Sequence, residues 1–466
     1  MKLRLIFAGL PALALAACNL APTYVRPEAP VAPDLPQGEA YPALPAGDTA
    51  ADALGWRAFF TDARLQQVIA KALTDNRDLR VALANVERAR ALYRVERSSL
   101  IPAIGATGSA SETRGSSARV IDNFSVQAGV SAYEIDLFGR LRNQSASAFQ
   151  AYLATDEGRK ATQITLIAET ASAWLSYAAT ADALRIAEET LVSRRQTLTV
   201  NTRREANGIG TKLDVASATT AVNSAEADVA DFKTSLAQAR NALDLLTGGP
   251  VAGELLPTTL GTGDHLLAAL PVGLSSQVLL RRPDVLAAEH DLRGSYADIG
   301  AARAAFFPAI SLTGLLGFAS GSLGALFDGA NFQKSVSGNV RQTIFDGGAT
   351  ASNLAAAKAA RVAALAAYER AIQSAFREVA DALARRGTIG DKLTAQASLE
   401  ANAATAYRLS QARYDAGIAN YLEPLDAQRT LYNARQALVS ARVTREANMV
   451  ELYRALGGGL VESGGQ

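Results

Sequence analysis

Phe306-Phe307-Pro308-Ala309-Ile310 decides the fold, because it is the second occurrence of a pattern begun at Leu100-Ile101-Pro102-Ala103-Ile104. The same landmarks follow each copy in the same order. Leu137-Phe138-Gly139 answers to Ile344-Phe345-Asp346-Gly347, Asn207-Gly208-Ile209 to Ala416-Gly417-Ile418, and Leu246-Thr247-Gly248 to Leu456-Gly457-Gly458. The spacing drifts only from 206 residues (Pro102 to Pro308) to 210 (Gly248 to Gly458). The chain is therefore an internal duplication, and a duplicated unit of this size predicts pseudo-symmetry around something, with a duct as the natural candidate.

Between the landmarks lie stretches without helix breakers. No proline occurs between Pro102 and Pro250, between Pro308 and Pro424, or after Pro424. Proline disrupts helix interiors, so its absence permits very long helices. Arg159 to Gly208 has no internal Gly or Pro and is rich in Ala, Leu, Glu, Arg and Gln, which are good helix formers. Ile164, Ile167, Ala171, Trp174, Ala178 and Ala181 alternate spacings of three and four, the seam of a coiled coil. Extended back to Gly139, this predicts a helix on the order of 100 Å long. The second half repeats it from about Gly348 to Asp415, with Gly387 and Gly390 expected to loosen its middle. Return helices are expected over Lys212–Leu246 and Tyr421–Leu456, and shorter ones over Asp75–Ser99 and Pro283–Ala305.

The segments after Pro102 and Pro308 alternate instead with a period of two. Phe124, Val126, Ala128, Val130 and Ala132 point one way, and Ser125, Gln127, Gly129 and Ser131 the other. Ile310, Leu312, Leu316 and Phe318 share a face, while Ile104–Ala110 and Val336–Ile344 are weaker versions. This gives four strands, as two hairpins with loops near Glu112–Ile121 and Ala319–Asn331. The pattern fits transmembrane strands of a barrel, or two hairpins with one face against a soluble body. Four strands cannot close a barrel, and an open edge is not tolerated in lipid. A membrane location therefore requires several chains. Two would give a packed eight-stranded barrel and three a twelve-stranded one with room for a lumen, so transport favours three.

Lys2 and Arg4 precede an apolar run, Leu5 to Leu15, too short to span a membrane as a helix. It closes on Leu15-Ala16-Ala17-Cys18, a bacterial lipobox. Residues 1–17 read as a lipoprotein signal peptide, with Cys18 diacylglycerated and N-acylated after cleavage; several acyl chains make a stable anchor. Cys18 is the only cysteine in 466 residues, and an unpaired thiol would be unusual in an oxidising compartment. Asn19, rather than Asp, follows it, which is compatible with outer-membrane sorting. Pro22 to Pro45 holds seven of the 15 prolines and reads as an extended strap between lipid and body. The expected organisation is a linker over 18–50, a first repeat over 51–250, an inter-repeat loop over 251–275, a second repeat over 276–458 and a tail over 459–466.

Chemistry is not indicated. The 46 basic and 45 acidic residues nearly cancel, which does not suggest nucleic acid. His265 and His290 are the only histidines, and neither has a partner at metal-ligand spacing. There is no P-loop, and Gly261-Thr262-Gly263 reads as a loop between repeats. No catalytic residue, metal site or cofactor is expected, beyond the acyl groups on Cys18.

Arg281-Arg282-Pro283-Asp284-Val285-Leu286-Ala287-Ala288-Glu289 and Ile299-Gly300-Ala301-Ala302-Arg303-Ala304-Ala305-Phe306-Phe307-Pro308 resemble the outer-membrane factor family of tripartite efflux systems, and more narrowly its NodT-type, TolC-like lipoproteins. Gly55-Trp56 with Phe59-Phe60, Phe345-Asp346-Gly347-Gly348, and Tyr421-Leu422-Glu423 with Leu425-Asp426-Ala427-Gln428-Arg429 carry the same resemblance, which covers essentially the whole chain after the signal. It implies a mainly α protein with a small membrane β part: a homotrimer whose twelve-stranded outer-membrane barrel continues as a twelve-helix coiled-coil barrel in the periplasm. It implies a passive duct for small molecules, lipid-anchored in the Gram-negative outer membrane, meeting a periplasmic adaptor and an inner-membrane RND-type pump. A type I duct for protein secretion, or a lipid-anchored coiled-coil scaffold without a pore, are the alternatives.

The resemblance also implies helical tips at the turns around Gly208 and Gly417, closed at rest. Both glycines fit helix C-terminal caps with positive φ. Arginines beside them fit capping of the helix dipole. The sharper expectation is that Arg413, Tyr414, Asp415 and Glu423 make contacts between subunits that hold the aperture shut. Some relatives place an acid where this chain has Ala419, so an acidic ring at that level is not expected. Asp214 and Glu423 occupy matching positions in the two repeats and could supply charge there, or belong to solvated helix faces.

Overall fold

The computed structural model describes residues 19–45, 53–114, 120–261, 267–268, 270, 272–273 and 275–462. Cys18, His265 and Thr262-Gly263 lie outside them. The elements in chain order are α1 (Trp56–Phe59), α2 (Ala63–Asp75), α3 (Arg77–Ser98), β1 (Ile104–Arg114), β2 (Val120–Glu134), α4 (Arg140–Ala206), α5 (Lys212–Leu246), α6 (Pro283–Ala304), β3 (Ala309–Ser320), β4 (Phe332–Arg341), α7 (Ala349–Asp415) and α8 (Leu422–Ala455). Both long helices run 67 residues, about 100 Å at 1.5 Å per residue. No helix among the described residues is long and apolar enough to cross a membrane.

Three pairs of positive-φ glycines mark the duplication: Gly139 with Gly348, Gly208 with Gly417, and Gly248 with Gly457. Each pair is 209 apart in number. The repeat of Gly248 is thus Gly457 rather than Gly458, and the repeat of Gly139 is Gly348 rather than Gly347. The helical parts keep one register, and the three-residue difference at Pro102 and Pro308 is taken up among the strands.

The chain divides into two compact units that cut across the repeats. The first is Met1–Glu28, Ala84–Glu157 and Leu286–Arg370. It contains the sheet, ordered β1-β2-β3-β4 and antiparallel throughout, so β1 and β4 are open edges. Cross-strand partners share a face, and the register puts Val126, Phe318 and Phe332 in one row and Gln127, Gly317 and Gln333 in the next. The apolar and polar faces are thus continuous from strand to strand. Three details differ from the sequence reading. β1 and β2 run into the expected Glu112–Ile121 loop, to Arg114 and from Val120. β4 starts at Phe332 and ends at Arg341, so Ile344 lies beyond it. Ala132 leaves the apolar face, because a bulge between Val130 and Tyr133 shifts the register and gives it φ +52°; Tyr133 takes its place opposite Leu312.

In the same unit the N-terminal strap is fastened rather than free. Glu289 of α6, 2% exposed, accepts from the Tyr24 hydroxyl at 2.9 Å, from Arg26 at 3.0 and 2.5 Å, and from Arg293 at 2.6 Å. Burial alone would raise the Glu289 pKa, but these donors hold it below the usual glutamate value. His290 Nδ1 lies 2.7 Å from Gln150 Oε1, and burial lowers its pKa.

The second unit is Ala29–Leu83, Gly158–Val285 and Ala371–Gln466. Its core uses the heptad seam: Ile164, Ile167, Ala171, Trp174 and Ala178 are buried, while Ala181 is half-buried. Trp174 Nε1 donates to the Leu255 carbonyl at 3.0 Å. Phe59 stacks on Tyr453 with ring centroids 4.1 Å apart, and Trp56, Phe59 and Phe60 are buried, so that aromatic motif is core. Arg282 is also buried and donates to the Ala455 carbonyl, Asp284 and Glu378 at 2.7–2.9 Å, which makes the Arg282-Pro283-Asp284 motif a structural clamp. The helix expected over Asp75–Ser99 is α3, Arg77–Ser98, and α2, Ala63–Asp75, is a further helix before it. Asn76 ends α2 and starts α3: its Oδ1 accepts from the Leu79 amide at 2.9 Å and its Nδ2 donates to the Leu246 carbonyl at 2.9 Å.

α7 is unbroken at Gly387 and Gly390, correcting the expectation of a loosened middle. Gly387 serves a close approach instead. A Cβ there would sit 2.2 Å from the Ala40 carbonyl oxygen of the strap, while one at Gly390 would meet nothing within 4 Å. The strap is bound here too, through buried Leu35 and through Ser276, whose hydroxyl donates to the Ala32 and Pro33 carbonyls at 2.8 Å.

Candidate functional site at the helical tips

Two turns join the long helices to the return helices, α4 to α5 and α7 to α8. Both are Schellman closures. At the first, the Gly208 amide donates to the Glu205 carbonyl and the Ile209 amide to the Arg204 carbonyl, both at 2.9 Å, with Gly208 at φ +72°. At the second, Gly417 donates to Tyr414 and Ile418 to Arg413, again at 2.9 Å, with Gly417 at φ +73°. The expected caps are therefore present in both repeats.

The starts of the return helices differ. Thr211 and Asp214 form a reciprocal capping box on α5, with amide-to-side-chain bonds of 3.1 Å in each direction. Asp214 thus caps its own helix. α8 has no side-chain cap at Tyr421; Asn420 Oδ1 accepts from the Leu422 amide at 3.1 Å, and Pro424 sits in the first turn, where a missing amide costs nothing. Arg413 and Glu423 bridge this second turn, Nε to Oε1 at 3.1 Å, within one chain. Both are about half exposed, which limits such a pair to about 1 kcal/mol or less. Asp415 accepts from Gln411 at 2.9 Å.

Tyr414 is the buried member of the set, at 5% exposure. Its hydroxyl donates to Asn201 Oδ1 across the two repeats. Its ring lies 5.7 Å from that of Tyr421 and packs with Ala218, Ala221 and Leu425, while the Arg204 guanidinium covers it at 4.8 Å. Nearby, buried Arg194 donates to the Ala221 carbonyl at 2.9 Å and stacks over Tyr432 at 5.6 Å. Burial lowers the Arg194 pKa and pushes Tyr421 and Tyr432 up to about 12, so the phenols stay neutral at physiological pH. Asn201 and Arg194 escaped the sequence reading, because a single polar residue inside a long helix leaves no periodic trace.

The tips also expose apolar side chains in pairs. Ile209 and Leu213 are 69% and 67% exposed, and their repeat equivalents Ile418 and Leu422 are 69% and 54% exposed. In each pair the isoleucine lies in the turn and the leucine in the first turn of the return helix. Among the described residues no group of His, Cys, Asp or Glu could hold a metal ion.

The outer membrane efflux protein family model matches residues 68–249 and 274–458. The chain is 41% identical to the probable efflux pump outer membrane protein TtgC of Pseudomonas putida, covering 100% of this chain and 98% of that one. It is 41% identical to outer membrane protein OprJ of Pseudomonas aeruginosa, over 97% of this chain and 95% of that one. Among solved structures, a membrane protein from Pseudomonas aeruginosa superimposes with TM-score 0.88 at 39% identity, covering 94% of this chain and all of that one. The open state of the MtrE outer membrane channel of Neisseria gonorrhoeae gives 0.87 at 38% identity, covering 96% and 100%. Two matched halves, relatives aligned end to end and tips built twice lead to one conclusion: the chain belongs to the outer membrane efflux protein family, whose members are efflux ducts of the outer membrane rather than enzymes.

Proposed function

We propose that this chain is the outer-membrane duct of a tripartite efflux system, assembled as a homotrimer and passing small molecules from a periplasmic adaptor and an RND-type inner-membrane pump to the exterior. One observation carries the reading: a four-stranded sheet with an apolar face and two unpaired edges, β1 and β4. In lipid those edges need partners, and three chains supply a twelve-stranded wall with a lumen. Energy comes from the pump, and Cys18 carries the lipid anchor. The exposed Ile209–Leu213 and Ile418–Leu422 pairs are the adaptor-contact surface, repeated around the ring. Tyr414, with Arg413, Asp415 and Glu423 about it, sets the resting aperture; Asp214 supports it as a helix cap. Relatives are named for efflux of toluene and of antibiotics, which fits apolar and amphipathic cargo.

The test is accumulation of a fluorescent efflux dye in cells lacking the protein, against the same cells complemented with it. Higher accumulation in the deletion, reversed on complementation, is expected. Equal accumulation in a strain with no second duct would overturn the small-molecule reading.

A further inference from the structure

The sheet register sorts charge between its two faces. On the polar face, Thr107, Ser109, Ser125, Gln127, Ser335 and Ser337 are typical. Among the described strand residues on that face only Glu134 and Arg341 are charged. Arg140 neutralises Glu134 through bonds of 2.8 and 2.5 Å. Asp136, next along the chain, is bonded to Arg142. Asp346, in the turn before α7, caps that helix, accepting from the Gly348 and Thr350 amides at 2.9 and 2.8 Å, so its negative charge is held against the positive end of the α7 dipole. The Arg341 side chain has no ion pair or hydrogen bond among the described residues and is exposed on the open edge β4. With Glu134, Asp136 and Arg140 it lines a cavity of about 270 Å³ at the helix-bearing end of the sheet. The remaining charged strand residues, Glu112, Arg114, Asp122 and Lys334, pair with the opposite face.

We propose that Arg341, repeated around the assembled barrel, forms a cationic collar at the periplasmic rim of an otherwise neutral, hydroxyl-lined lumen, and so favours anions and neutral molecules over cations in the membrane-spanning stretch. This rests on the proposed closed barrel with its polar face inward. The wall beyond the collar offers hydrogen bonds without charge, so it neither retains nor repels ions, and the rim sets the sign of the local field. Selectivity at this level is thus independent of the helical tips.

Reaction rates of a thiol placed on the lumen face read that field locally, whatever the state of the tips. Asn339→Cys puts a thiol two residues from Arg341 on the same face, about 7 Å away along the strand. Methanethiosulfonate reagents carrying one negative or one positive charge are added to intact cells, with the chain lacking an introduced thiol as background. One unit charge about 7 Å away in water, screened with a Debye length of about 10 Å, predicts that Arg341→Gln lowers the anion-to-cation rate ratio about threefold. Arg341→Lys, which keeps the charge, is expected to hold the ratio. An unchanged ratio in Arg341→Gln, with the thiol at position 339 still reactive, would overturn the collar. Val340→Cys separates this from failure of the barrel itself. It lies on the apolar face and should react with neither reagent; equal reactivity at 339 and 340 would refute the inward-facing wall, and the collar with it.

Discussion

Gly387 and Gly390 form a matched pair in which helix propensity and close packing give opposite answers. Replacing glycine by alanine inside a helix favours folding by about 1 kcal/mol. At Gly390 a Cβ meets nothing within 4 Å, so Gly390→Ala is expected to realise most of that gain. At Gly387 the added carbon would lie 2.2 Å from the Ala40 oxygen, 2.8 Å from its carbonyl carbon and 3.0 Å from that of Tyr41. All three atoms are backbone, so no rotamer change relieves the clash, and the strap must move. A local shift costs at least the Tyr41-amide-to-Gly38 bond, about 1 kcal/mol. Release back to Pro33 also exposes Leu35 and breaks the Ser276 bonds, for a total of about 3–5 kcal/mol. The propensity gain is present whether the strap is docked or released, so the strap should be looser by about 1–5 kcal/mol. Hydrogen exchange of the Tyr41 and Ser276 amides measures this, with the interior amides of α7 as reference. Gly387→Ala should speed exchange at those two amides tenfold or more, and Gly390→Ala should leave them unchanged. Equal strap protection in the two variants would refute the claim that Gly387 is kept for the approach of the strap.

Two further outcomes follow from the structure. Tyr414→Phe removes the donor to buried Asn201, whose Nδ2 already lacks a partner; the loss of about 1–3 kcal/mol at the tip should raise conductance of the purified channel in planar bilayers, and unchanged conductance would count against Tyr414 as the aperture residue. Glu289 has a folded pKa below its unfolded value of about 4.5, so its contribution is complete above that value and lost as pH falls through the folded pKa. Exchange at the strap around Tyr24 and Arg26 should stay flat from pH 7 to about 5 after correction for intrinsic rates, then rise in more acid solution, and Glu289→Gln should flatten the change.

The helices were legible because their signals are long and redundant. The absence of Pro and the glycines at the flanking turns placed the ends of α4 and α7 within a residue or two, and the seam from Ile164 to Ala178 is the buried face. Features that depend on single residues were not legible. Asn76 separates α2 from α3 because its side-chain amide finds partners at both ends, and one of them, the Leu246 carbonyl, is distant in sequence. The bulge at Ala132 inserts one residue into an otherwise regular alternation, which pattern alone reads as continuation. α1 is only four residues long, below any periodicity. At the tips the sequence indicated the turns and Tyr414, but not Asn201, since the bond between them joins residues 213 apart. Within the chain Arg413 and Glu423 pair with each other across the second turn, a contact the sequence reading did not include.

The equal lengths of α4 and α7 restrict how such a chain can change over evolutionary time. Inserting one residue into an α-helix turns everything beyond it by about 100° and advances it by 1.5 Å. The seam would then face away from its partners, and the two tips would end at different levels. A lengthening that preserves both phase and height must add about seven residues, two turns, to α4, α5, α7 and α8 together. No single mutational event does that. Reach is consequently a discrete, inherited quantity in this chain, whereas the side chains at its ends are free to vary one at a time, so new interaction partners are gained by substitution at the tips and not by growth of the helices.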